Sequence, residues 1–333
     1  DDCILDDYVD GYGSTIYRKP VSAVTRNLEQ VVRAYTNRLG KKPKTHDATV
    51  KRFVEYAKNL ILEAFLFTEI NSDDTMEFLV DGYGLKRAQR MYDEWYGKEW
   101  TPDVQRSKIF VKDEAYVGKD YDNIKARIIF SRSEWFVVNM GPFFRAVGKM
   151  IAKRLSGDSE CYYTSGSTPI AVGDYALKMD AMPYIFMSDA SNWDGSLSNY
   201  MLQLEKWFLL NMVGGHPDHF GDVLDHWDEV IGYAYDDDGH SIKVKMNRCR
   251  RSGDLWTSSF NSLINFCLVM FILSNGGRDS VDPEEVRMLV MGDDNVVATS
   301  ISIDRDTVVD WYAKLGFESG VKFGSSMVDV QFC

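Results

Sequence analysis

Asp293 and Asp294 stand side by side inside an apolar run, VRMLVMGDDNVVAT (286–299). An ionised carboxylate is costly to bury, so two of them between strand-like hydrophobic segments need compensating charge. A second acidic stretch, FMSDASNWDGS, ends a short apolar run with Asp189, and Asp194 follows five residues later. If that strand lies beside the GDD hairpin, Asp189 and Asp293 converge, and acids so grouped stay ionised only when a divalent cation compensates them. Hard carboxylate oxygens with room for water and phosphate suit Mg²⁺. Two such ions, about 4 Å apart, can hold the attacking and leaving oxygens of an in-line phosphoryl displacement. Each stretch taken alone is equally well a capped turn or a helix N-terminus.

A third stretch, RRSGDLWTSSFNSLINF (250–266), starts with a Ser-Gly turn and continues as helix. Thr257 and Asn261, four residues apart, fall on one helix face. A helix capped by Ser-Gly-Asp needs no function, but capping does not explain a hydroxyl and an amide sharing a face in so apolar a helix. Asn261 can bond a ribose 2′-hydroxyl, with Asp194 on the other side of the same group. Ser252 and Gly253 lie where a loop backbone can approach a templating strand.

These residues need strands and helices to place them. MLVMGDDNVVATS reads as a hairpin with the acids at its tip, and EVIGYAYDDDGHSIKVKM as a second hairpin whose three aspartates sit at an ordinary polar turn. Helical periodicity runs through VTRNLEQVVRAYTNRLG, ATVKRFVEYAKNLILEAFLFTEI, TMEFLVDGYGLKRAQRMYDEWYG, WFVVNMGPFFRAVGKMIAKRL and SNYMLQLEKWFLLNMV. SKIFVKDEAY and KARIIFSRS read as strands, with VGKDYDN as the turn between them.

The chain has 333 residues, 45% hydrophobic and 26% charged, enough for a large core in one domain or a few subdomains. No apolar run is long enough to span a bilayer and nothing reads as a signal peptide. Five scattered cysteines without CxxC pairing fit reduced thiols. The net charge of −12 argues against general polyanion binding, yet residues 105–154 hold eleven Lys/Arg against five Asp/Glu. That local excess of six positive charges suggests one directed anionic contact; a solvated helix face is the plain alternative.

Taken together, the three stretches resemble motifs A, B and C of viral RNA-dependent RNA polymerases: Asp189 and Asp194; Ser252, Gly253, Thr257 and Asn261; Gly292, Asp293 and Asp294. FVKDEAYVGKDYDNIKARIIFSRS is similar to the basic motif F through Lys112, Glu114, Lys125 and Arg127. LGFESGVKFG resembles motif D and VDVQFC the start of motif E, in the manner of positive-strand viruses of the tombusvirus and nodavirus type.

The resemblance implies an α+β right-hand fold, with an antiparallel palm sheet flanked by helices and mainly helical fingers. Residues 1–180 would be fingers, with motif F at 110–132. Residues 181–204 would be palm, 205–249 a fingers insertion carrying the hairpin, and 250–333 palm, with a thumb expected beyond 333. It implies template-directed RNA synthesis from NTPs with two Mg²⁺ ions, Mn²⁺ being able to substitute. Asp189, Asp293 and Asp294 would be metal ligands. Asp194, Asn261, Thr257, Ser252 and Gly253 would serve the nucleotide and ribose, and Lys112, Lys125 and Arg127 the triphosphate. Lys322 is assigned as general acid, with Lys314 its rival. Partners would be template and nascent RNA, NTPs, and viral replication proteins or host membrane factors. The site would be host cytoplasm, in membrane-associated complexes held through regions outside this chain.

A reverse transcriptase is disfavoured by Asn261 and Gly292. A non-catalytic RNA-binding scaffold would be signalled by loss of a metal-binding Asp, and a phosphohydrolase would not need the Thr257/Asn261 face. The HPDH stretch and His226 suggest zinc only weakly, since no cysteine is near. EWFVVNMGPFF reads as core packing.

Overall fold

The seventeen residues TSSFNSLINFCLVMFIL contain no charge, and a helix apolar on every side belongs at the centre of a protein. In the computed structural model they form that central helix, buried from Ser259 to Leu273. The structure describes residues 8–9, 15–16, 21–22, 27–40, 44–116, 124, 126–247, 249–330 and 332. The longer helices are α1 (Leu28–Ala34), α2 (Asp47–Ala64), α3 (Thr75–Tyr83), α4 (Leu85–Trp95), α5 (Glu134–Arg154), α6 (Pro169–Met179), α7 (Asn199–Asn211), the central α8 (Thr257–Leu273) and α9 (Arg305–Leu315). The longer strands are β1 (Ser107–Val111), β2 (Ile128–Arg132), β3 (Cys161–Tyr163), β4 (Tyr184–Ser191), β5 (Glu229–Tyr235), β6 (Ser241–Asn247), β7 (Val286–Met291), β8 (Asp294–Thr299) and β9 (Glu318–Gly324).

Two sheets result. One has strand order β9-β4-β8-β7-β3, antiparallel except for the parallel β7–β3 pair. The other has order β6-β5-β1-β2, with β5 and β1 parallel. The first packs against α8, whose Phe260, Phe266 and Phe271 are fully buried with Phe186 and Val297 of the strands. Burying each such side chain contributes roughly 1.5–3 kcal/mol, so the sheet and its helix hold each other. The second sheet has its own core of Ile109, Val111, Ile128, Phe130, Val230 and Val244, joined by Val31 and Ala34 of α1.

Both hairpins read from sequence are present, β5–β6 and β7–β8. The stretch TMEFLVDGYGLKRAQRMYDEWYG is two helices, because Gly84 between α3 and α4 takes φ 75, a left-handed conformation that stops the first helix. Helix α2 ends at Ala64, and Thr68–Glu69 forms a short strand parallel to Val213–Gly214. VGKDYDN lies outside the described residues. The aromatic stretch of α5 is core: Trp135, Phe136, Phe143 and Phe144 are at most 1% exposed, and Phe144 packs 4.2 Å from Trp256. Strand β3 is too short to show a period, whereas helix α6 carries Val172, Tyr175, Ala176 and Met179 at helical spacing and was missed; β3, which falls in the 1–180 segment, joins the sheet of Asp189.

Candidate active site

Register places the acids. Ser188 of β4 lies opposite Asn295 of β8, so Asp189 is the next residue toward the β7–β8 turn. Met291 pairs with Asp294 across the hairpin, leaving Gly292 and Asp293 as a two-residue turn. Gly292 has φ 66 at the first turn position, which glycine adopts at no steric cost. Asp189 and Asp293 line one cleft of about 830 Å³, together with Arg38, Lys44, Arg127 and Asn192. A smaller adjoining cavity of about 140 Å³ is lined by Asp194, Arg250, Ser252, Thr257 and Asn261, and shares Arg38, Arg127, Asn192 and Asp293 with the first. Asp294 begins β8 and lines neither of these two cavities.

Burial pushes the Asp293 carboxyl up to about 6, and the charges of Asp194, Asp294 and Asp189 push the same way. Its side chain still reaches solvent. A cluster of hard oxygens whose mutual repulsion raises a pKa is a donor set that suits a divalent cation. The fit is incomplete in one respect. Among the described residues, the group of three ligand atoms within 4.8 Å of one another is Asp236, Asp238 and His240, not Asp189, Asp293 and Asp294. The former group is explained by its turn, where Asp236 accepts the N–H groups of Asp238 and His240 at 3.1 and 2.8 Å. The close trio of acids expected from sequence is thus a pair sharing a cleft, with the third beside it. A cation would have to draw their oxygens closer.

The second cavity is built on buried polar contacts. Asn261 Nδ2 donates to Asp194 Oδ1 at 3.2 Å. Arg250 Nε donates to Asn261 Oδ1 at 3.0 Å, and the guanidinium forks onto Glu205. Burial raises the Asp194 carboxyl, against the pull of Arg250, Asn261 and Ser252. Thr257 Oγ1 donates to the Arg251 carbonyl at 3.0 Å, so its hydroxyl fastens the 250–254 loop to α8. Ser252 accepts the Phe130 N–H at 2.8 Å through its carbonyl, tying that loop to β2. Gly253 has φ 108, and a Cβ there would sit 3.0 Å from the Phe130 carbonyl. Gly253→Ala is therefore expected to cost roughly 1–3 kcal/mol. Chemical denaturation checks this, and a change within about 0.5 kcal/mol, the range of ordinary surface substitutions, would contradict it.

Behind the GDD turn lies a buried network that sequence reasoning missed. Asn265 Nδ2 donates to the carbonyls of Gly292 and Asp293 at 3.1 and 2.9 Å. Asn295 Nδ2 donates to Asn265 Oδ1 at 2.8 Å and to Ser188 Oγ at 2.7 Å, and Ser188 Oγ meets the Tyr312 hydroxyl at 2.8 Å. Ser262 Oγ accepts the Gly292 N–H at 2.8 Å. The only sequence signal was polarity inside apolar stretches, as in NSLINF and DDNVV.

Of the basic residues, Arg127 lines both cavities. Glu114 binds Arg127 through both carboxylate oxygens and Lys112 at 2.9 Å. Burial pushes Glu114 up, but these hydrogen bonds prevail and hold it at about 2. Lys112 lines neither cavity, and Lys125 lies outside the described residues. Arg38 and Lys44, which no motif marked, come to the cleft from the segment between α1 and α2. Lys322 lies opposite Met187 on β9 and donates its amine to the Asp329 carbonyl; Lys314 pairs with Asp310 at 2.5 Å. Neither lines the two cavities. The HPDH histidines and His226 have protein partners: His216 and His226 meet the carbonyls of Leu209 and Asp222 at 3.0 Å, and His219 meets Asp222 at 3.3 Å and Glu99 at 3.4 Å.

Comparison with known proteins agrees with this arrangement. The family described as viral RNA dependent RNA polymerase matches residues 7–333. The chain is 25% identical over 239 residues to the RNA-directed RNA polymerase of Pothos latent virus (isolate Pigeonpea/India). That match covers 68% of this chain and 30% of the relative, so the chain spans under a third of the relative's length. With a family match over nearly its whole length, the chain belongs to the viral RNA-dependent RNA polymerases.

Proposed function

We propose that this chain carries the nucleotidyl-transfer site of an RNA-dependent RNA polymerase for viral genome replication. It would transfer ribonucleoside monophosphates from NTPs to an RNA 3′-hydroxyl, as the template directs. The observation that carries this is the sharing of one cleft by Asp189 and Asp293 with Arg127, next to the cavity where Asp194 and Asn261 meet. Asp189 and Asp293, with Asp294 beside them, would hold Mg²⁺ or Mn²⁺. When bound, two such ions supply charge neutralisation for the attacking and leaving oxygens. Arg127 and Arg38 are placed to pair with triphosphate oxygens, for which Arg127 must share Glu114. Asp194 and Asn261 would read the ribose, and Ser252 and Gly253 lie where a template can pass. Lys322 would be the proton donor to departing pyrophosphate, although its amine donates to the Asp329 carbonyl and lines neither cavity.

The sheet bearing the acids corresponds to a palm, and the sheet of β1, β2, β5 and β6 to part of the fingers. Template and product RNA and NTPs are the implied ligands. No helix among the described residues is long and apolar enough to cross a membrane, so contact with viral replication proteins or host membranes would use other surfaces or other regions.

Labelled GTP incorporation on a defined RNA template, with Mg²⁺ or Mn²⁺ and the full-length protein, tests the proposal. Template-dependent product, made with less selection against dGTP by Asn261→Ala, is expected. RNA binding with only background synthesis would replace it with a non-catalytic scaffold.

A further inference from the structure

The amide of Asn261 has two ends of opposite character, and the pocket works as a ribose reader only if the right end faces it. Asn261 meets two partners. Asp194 Oδ1 lies 3.2 Å from Nδ2, and Arg250 Nε lies 3.0 Å from Oδ1. A guanidinium has donors and no acceptor, so Arg250 accepts only the carbonyl end of the amide. The NH₂ end is thereby turned to Asp194 and the cavity both residues line. One of its two hydrogens serves Asp194, and the other is left for a ligand.

Arg250 is itself held. Its guanidinium donates to both carboxylate oxygens of Glu205 on α7, Nη1 to Oε2 at 2.8 Å, and the two side chains are 2% and 1% exposed. Its backbone N–H donates to the Asp194 carbonyl at 3.0 Å, so one residue fixes both halves of the pocket. Glu205 lies outside every stretch that the family motifs mark.

Resting on the proposed ribose reading, we infer that the Arg250–Glu205 pair is a specificity-determining positioning pair that fixes the polarity of the Asn261 amide. A 2′-hydroxyl, donor and acceptor at once, can accept from Asn261 and donate to Asp194. A 2′-deoxyribose leaves both unpaired, and sites built to bond a hydroxyl reject the analogue lacking it far more strongly than apolar pockets do. Without Arg250, Asp194 alone orients the side chain, the amide oxygen has lost its donor, and the preference for a hydroxyl weakens even though Asn261 is still present.

A second buried pair supplies the control. Arg132 and Asp254, 3% and 4% exposed, bind at 2.5 Å at the same loop without a hydrogen bond to Asn261, although Asp254 also feels the charges of Arg250 and Glu205. The test compares kcat/KM for GTP and dGTP on one RNA template, in the full-length protein. It uses Arg250→Met with Glu205→Leu, which removes both buried charges together. The control is Arg132→Met with Asp254→Leu. Arg250→Lys is the second variant, since an ammonium keeps an ion pair with Glu205 without also reaching Asn261. The GTP/dGTP ratio should fall about tenfold or more in both Arg250 variants and hold in the control. An unchanged ratio in the Arg250 variants, or an equal fall in the control, overturns the inference. Asn261→Ala separates the two levels. If it leaves the ratio unchanged, the ribose reading fails; if it lowers the ratio while Arg250→Lys does not, only the positioning role of Arg250 fails.

Discussion

Asp293→Asn should make the metal-free protein more stable while abolishing synthesis. The folded protein raises this carboxyl from 3.8 to about 6, chiefly through burial. Between those values the folded state binds more protons than the unfolded chain, so stability falls as pH rises through that window. The penalty is absent below 3.8 and complete above about 6. A shift of two units would be about 3 kcal/mol, but the side chain reaches solvent, and screening brings that to about 1 kcal/mol. The substituted amide does not ionise, so the variant should melt about 1–2 °C higher at pH 7.5 without divalent ions and equally at pH 3.5. Added Mg²⁺ should narrow the gap by stabilising the wild type. Activity should fall about 10³-fold or more, the loss of roughly 4 kcal/mol of transition-state stabilisation. A lower melting temperature at neutral pH would show that Asp293 is a structural acid.

Asn265→Leu should be the most disruptive single change outside the acids. Its amide is fully buried and holds the Gly292 and Asp293 carbonyls, while its oxygen receives Asn295. Leucine leaves all three without that partner, and buried unpaired groups cost about 1–3 kcal/mol each. A stability loss of about 3 kcal/mol is expected by denaturant titration. The turn would shift with it, and a displacement near 1 Å at a reacting centre costs about 10²-fold in rate. Adding Asn295→Leu should cost less than the sum of the two single changes, because the residues share one network. Additive losses, or a loss under about 0.5 kcal/mol for Asn265→Leu, would mean that the turn is held by strand pairing alone.

Local chemistry made much of this legible. The GDD hairpin announced itself by a glycine between apolar, strand-like flanks, and α8 by an uncharged run after Ser-Gly. What stayed hidden depends on distant partners. Ser188, Asn265, Asn295 and Tyr312 lie up to 124 positions apart, and nothing local says that they meet. Arg38 and Lys44 reach the cleft by tertiary packing of a segment whose own pattern is simply helical. A strand of three residues, Cys161–Tyr163, is too short to show a period. Lys322 lies on β9, and the direction of its amine, toward the Asp329 carbonyl, is a side-chain choice that spacing does not encode.

The most direct test of the central claim is templated GTP incorporation by the full-length protein in Mg²⁺, comparing three variants. Asp189→Asn and Asp293→Asn should each reduce synthesis to background, while Asp236→Asn with His240→Ala, which dismantles the closer acidic group at the β5–β6 hairpin, should leave it intact. Synthesis that survives in Asp189→Asn and Asp293→Asn but is lost with the hairpin group would contradict the assignment of the cleft.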